Sequence, residues 1–68
     1  MDEKRVMFTV SHIKKMSAQH VLEQAGIKTF ILDKTDSAHA GIFGDIELYV
    51  DASEEEAARK ILEKEELI

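Results

Sequence analysis

His12, His20 and His39 supply every nitrogen ligand in the chain, and there is no cysteine. A helix grips a metal through side chains three or four positions apart, where they share a face. His12 and His20 stand eight apart, more than two turns along an axis, and His39 lies far downstream. Surface histidines are therefore expected, with no metal site and no cofactor. A general base needs a neighbour that moves its pKa toward the working pH, and no such constellation can be read from these spacings. The sequence predicts no catalytic residue and a protein that is not an enzyme. Without cysteine there is no thiol nucleophile, no disulfide framework and no zinc knuckle, which fits a reducing cytoplasm.

A glycine pair offers another kind of chemistry. In Gly41-Ile42-Phe43-Gly44, backbone N-H groups could approach an anion, as they do in phosphate-binding loops. The stretch lacks the lysine of such a loop, and it leads into a strand where a phosphate loop leads into a helix. A turn with an apolar lid is the plainer reading. Residues 34–45 nevertheless form a 12-residue loop, long for a chain of 68 residues, and long ordered loops often carry function. A small ligand, if bound, is expected at His39, Ile42, Phe43 and Asp45.

The elements that must position these residues belong to one domain spanning 1–68, because a second core would have nothing to fill it. Hydrophobic residues make up 44% and charged residues 34%, the balance of a globular chain. Nine basic against fourteen acidic residues leave a formal charge of −5, which opposes a phosphate backbone and argues against nucleic acid as a partner. No apolar run approaches the ~20 residues of a membrane span, and no signal-peptide core is visible, so no membrane partner is expected.

Val6, Phe8 and Val10 alternate with Met7 and Thr9, predicting a first strand with the former three on its covered side. Ser11 then caps a helix to Ala25, with Ala18, Val21, Leu22 and Ala25 on one arc, Ile13, Met16 and His20 on a second stripe, and Gly26-Ile27 as a stop. Lys28–Asp33 predicts a second strand with Phe30 and Leu32 toward the helix, and Ile46–Val50 a third with Ile46, Leu48 and Val50 inward. Ser53 and Glu56 fit a capping box opening a second helix, with Ala58, Ile61 and Leu62 inward.

The order β-α-β-β-α, with a right-handed crossover between parallel first and second strands, predicts an α+β ferredoxin-like fold. Its sheet runs 1-3-2, with both helices on one face. The other face is then bare, and Met7, Thr9, Thr29, Ile31, Glu47 and Tyr49 are expected to point into it. Met7, Thr9, Ile31 and Tyr49 are the expected partner or dimer surface. Homodimerisation through that face, or through the edge of the first strand, is the expected use.

The layout and several residues resemble the family of small bacterial domains described as "putative prokaryotic signal-transducing protein". The resemblance rests on Val21-Leu22-Glu23-Gln24-Ala25-Gly26-Ile27, the extended Thr29–Leu32, the glycines at 41 and 44, Ile46–Val50, and Glu55-Glu56-Ala57-Ala58-Arg59-Lys60-Ile61-Leu62. Where members often open the first helix with Asn-Pro or Asp-Pro followed by Glu-Ala, this chain has Ser11-His12 and then Lys14-Lys15, so Lys14 cannot supply the reciprocal carboxylate of a capping box. The same order is also similar to a truncated ACT-type regulatory domain whose fourth strand would follow Leu67-Ile68. The resemblance implies a signalling role. Together with the bare face, it points to a non-catalytic interaction module that self-associates or binds a protein. The alternative is a small-ligand sensor working through residues 34–45.

Overall fold

Apolar side chains occupy every second position of Ile46-Glu47-Leu48-Tyr49-Val50, and this run becomes the central strand of the sheet. A computed structural model describes residues 2–33 and 46–68. Its elements are β1 (Glu3–Thr9), α1 (His12–Gln24), β2 (Thr29–Asp33), β3 (Ile46–Asp51), a 3-10 turn (Ala52–Glu54) and α2 (Glu55–Lys64). The sheet order is β1-β3-β2, and both outer strands run antiparallel to β3, hence parallel to each other. This is the expected α+β ferredoxin-like arrangement.

Both helices pack on one side of the sheet, against β3 and each other. Val6, Met7, Ala18, Leu22, Ile27, Leu48, Val50, Ala58 and Leu62 form one buried cluster, edged by Val21, Ile31, Ile61 and Leu67. Leu22 and Leu62 are fully buried. At this size each such side chain, worth about 1.5–3 kcal/mol on burial, is a large share of the net stability.

Both helices stop in the same way. After α1, the Ile27 N-H donates to Leu22 O at 2.9 Å and the Gly26 N-H to Glu23 O at 3.0 Å, with Gly26 at φ +80°. That pair of bonds is the Schellman stop expected from Gly26-Ile27, and it folds Ile27 into the core beside Leu22. After α2, the Leu67 N-H donates to Leu62 O at 2.9 Å and the Glu66 N-H to Glu63 O at 3.0 Å. Here Glu66 takes the left-handed position, at φ +59°. The hydrophobic contact that accompanies this motif explains why a non-glycine residue holds the conformation: Leu67 packs on the core.

The starts of the helices differ. Ser11 caps α1 as expected, its hydroxyl accepting from the Lys14 N-H at 3.2 Å. The capping box at Ser53 and Glu56 does not form. The chain turns two residues earlier, and the Asp51 carboxylate accepts from the Ser53 N-H at 3.0 Å and from the Ser53 hydroxyl at 2.5 Å. Ser53 is thus a donor to the cap, not the cap. Glu54 precedes α2 without a side-chain cap bond.

Val6 is buried as expected, but beyond it in β1, and throughout β2, the phase is the reverse of the expected one. Arg5 lies opposite Tyr49 and Met7 opposite Leu48, so Val6 is an extra residue, a β-bulge. Val6 and Met7 are both buried, at 5% and 4% exposure, whereas Phe8 and Val10 are each 60% exposed. Met7 is therefore core and not partner surface. Thr9 falls opposite Ile46 on the helix side, where its hydroxyl accepts from the Ser11 N-H at 3.0 Å. The Arg5 carbonyl at the bulge accepts from Arg59 Nη2 of α2 at 3.4 Å, which ties the irregularity to the helix above it. In β2, Thr29 and Ile31 lie opposite Val50 and Leu48, and so face the helices, while Phe30 and Leu32 face away. The physical reason is Ile27: once the stop after α1 buries it, the two-residue period of the strand carries Thr29 and Ile31 to the same side.

Candidate functional site: the open face of the sheet

The side chains left facing away from the helices fall into two rows across the three strands. Phe8, Glu47 and Leu32 form one, and Arg5, Tyr49 and Phe30 form the other, each row read from β1 through β3 to β2. Phe8 is 60% and Leu32 45% exposed, and Phe30 and Tyr49 are half-buried. Four of the six side chains are large and apolar or aromatic.

At the centre lies Glu47, only 8% exposed although no helix among the described residues covers this face. Cross-strand neighbours on one face stand about 4.5–5.5 Å apart, so Phe8 and Leu32 flank the carboxylate. Removing a carboxylate from water is costly unless it is hydrogen-bonded and charge-balanced. The Tyr49 hydroxyl donates to Glu47 Oε1 at 2.5 Å, and Arg5 Nη1 stands 3.9 Å from the same oxygen. Arg5 also lies over the Phe8 ring, 5.1 Å from its centroid, and Lys28 lies 5.5 Å from the centroid of Phe30. These cations sit over the electron-rich ring faces. The patch is thus an aromatic and aliphatic surface with a charge-balanced polar centre, a composition suited to docking a protein surface.

Of the expected partner-surface residues, Tyr49 faces the open side as anticipated, and so does its neighbour Glu47. Met7, Thr9 and Ile31, together with Thr29, are on the opposite side. The residues that take their places are Phe8, Phe30, Leu32 and Arg5. The signal for Phe30 and Leu32 was present in the glycine stop followed by Ile27. For Phe8 no such signal exists, because the bulge at Val6 is marked by no glycine.

His39, Ile42, Phe43 and Asp45, expected as a ligand site, lie outside the described residues. His12 and His20 are exposed on α1. Ile13 and Met16 of the second stripe on α1 are also exposed, at 78% and 62%. Among the described residues no three His, Asp or Glu side chains gather into a metal-holding group. No helix among them is long and apolar enough to cross a membrane. The Asp51 carboxyl is held below its ordinary value, first by the Ser53 hydroxyl and then by the Ser53 N-H, which is the signature of a local cap.

Residues 4–66 match the model of the family described as "Putative prokaryotic signal transducing protein". Neither a curated protein nor a solved structure matches the chain.

Proposed function

The chain belongs to this prokaryotic signal-transducing family, and on that premise we propose that it is a non-catalytic interaction module that works by docking the open face of its sheet on a protein surface, its first partner being a second copy of itself. The observation that carries the reading is the surface formed by Phe8, Phe30, Leu32 and Tyr49, which is contiguous across all three strands and opposite the packed core. Single exposed apolar residues are ordinary, but a contiguous patch with a polar centre is the anatomy of an interface. Formal charge of −5 is compatible with self-association here, because the patch itself carries Arg5 against Glu47.

Sedimentation equilibrium from low micromolar to millimolar concentration tests the reading, on wild type and on the double variant Phe8→Gln, Leu32→Gln. Both positions are exposed, so the variant keeps the fold while losing the patch. Reversible dimerisation of the wild type, abolished in the variant, is expected. A wild type that stays monomeric throughout excludes the second copy as partner.

A further inference from the structure

We infer that β1 is a two-register strand, with a second, less populated state in which the bulge at Val6 is released, Phe8 turns into the core and Met7 turns out beside Glu47. The inference concerns β1 alone and does not depend on the docking proposed above.

A slip of one residue in a strand covered on one side is ordinarily ruled out, because it carries the apolar set to solvent and a polar set into the core. Beyond Arg5, β1 escapes that penalty. Its run Val6-Met7-Phe8-Thr9-Val10 is apolar at both 7 and 8. In the observed register Met7, Phe8 and Thr9 stand opposite Leu48, Glu47 and Ile46, with Val6 the extra residue. Without the bulge, Val6, Met7 and Phe8 take those three places, and the extra residue passes into the link between β1 and α1. Val6 then stays on the helix side. Met7 leaves the core as Phe8 enters it, so one large apolar side chain replaces another, and Thr9 gives up a place on the helix side. The released state also covers Phe8, which is 60% exposed in the observed one.

The backbone does not pin the bulge at Val6. No residue between Arg5 and Met7 takes a positive φ, so no glycine-like position fixes the extra residue there. What favours the observed register is a small set of contacts at and beyond the bulge. Arg59 Nη2 donates to the Arg5 carbonyl at 3.4 Å, while Glu55 holds the same guanidinium at 3.2 Å. The Thr9 hydroxyl accepts from the Ser11 N-H at 3.0 Å, and Arg5 lies 5.1 Å from the centroid of the Phe8 ring. Release turns Thr9 and Phe8 to opposite faces, which breaks the last two contacts, and straightens the backbone at the first. Each is an exposed or part-buried contact of modest strength. Together they keep the second state a minor one, at about 1% of molecules. The exchange alters the face away from the helices beside Glu47, so an occupant that touches Phe8 selects the bulged register and one that touches Met7 selects the released register.

Relaxation-dispersion NMR on the wild type tests the inference, because register changes fall in the microsecond-to-millisecond range. Exchange confined to residues 6–11 and 46–48 is expected, with a minor population of about 1%. Arg59→Met keeps the aliphatic stem and removes the donor, and should raise that population roughly twofold to tenfold, the effect of one hydrogen bond. Phe8→Lys, which the core cannot accept, should abolish the exchange. Met7→Lys reads the second state directly: it should fold, with cross-strand NOEs pairing Val6 with Leu48 and Phe8 with Ile46. Flat dispersion in both the wild type and Arg59→Met would overturn the inference. So would a Met7→Lys variant that unfolds or keeps Phe8 opposite Glu47.

Discussion

The Tyr49 hydroxyl bonds Glu47 Oε1 at 2.5 Å, joining two side chains that stand two positions apart on the same strand and the same face. The bond shields a carboxylate that is nearly buried on the side of the sheet away from the helices. Tyr49→Phe keeps the ring and removes the donor. It should lower stability by roughly 1.5–3 kcal/mol, the range for a hydrogen bond to a charged group. Urea unfolding gives the value, and an unchanged midpoint would show that the hydroxyl contributes nothing.

The bulge at Val6 makes a contrast that strand alternation alone would reverse. Met7 is 4% and Phe8 60% exposed. Met7→Gln should destabilise by about 2–5 kcal/mol, through lost packing and a buried amide. Phe8→Gln should cost less than about 1 kcal/mol. Thermal unfolding of the two variants side by side decides the matter, and a larger loss for Phe8→Gln would remove the bulge from the fold.

The paired helix stops predict effects of opposite sign. Glu66 sits at φ +59° where Gly26 sits at φ +80°. Glu66→Gly relieves the left-handed strain and should stabilise by ~0.5–1 kcal/mol, net of the greater freedom glycine gives the unfolded chain. Gly26→Ala should destabilise by about 1 kcal/mol from backbone strain alone, because a Cβ at this position meets nothing within 4 Å. Calorimetry on both variants tests the pair. A loss of stability in Glu66→Gly would contradict it.

The Asp51 cap carries a pH signature. Its carboxyl is lowered from 3.8 by the Ser53 hydroxyl and N-H. Because the folded value lies below the unfolded one, the contribution of the cap is fully present above that ordinary value of 3.8 and fades as pH falls through the folded value. Ser53→Ala removes the larger of the two causes. It should move the Asp51 titration back toward 3.8 in carbon-detected NMR, and the stability difference from wild type should shrink below pH 4. A titration that does not move would assign the shift to another cause.

The fold order, the central strand, the Ser11 cap and the stop at Gly26-Ile27 were legible in the sequence, because each depends on residues within a few positions of one another. Alternation in Ile46–Val50 is unbroken, and a left-handed glycine followed by an apolar residue has one ready use at a helix end. The second stop, at Glu66-Leu67, was hidden by the absence of a glycine, and the start of α2 by the competition between Asp51 and Ser53 for the same turn.

The candidate surface was legible only along β3. Glu47 and Tyr49 follow from the period of one strand, but which residues stand beside them depends on strand register, and register is a relation between segments distant in sequence. Three consecutive apolar residues, Phe30-Ile31-Leu32, fit either phase locally, and pairing with β3 selects one. One unmarked extra residue at Val6 reverses β1 beyond it, burying Met7 and exposing Phe8. The sequence by itself determined that both helices would take one face and what the middle of the other would be. Tertiary pairing decided its flanks, because a shift of one residue in a strand exchanges every side chain between the two faces.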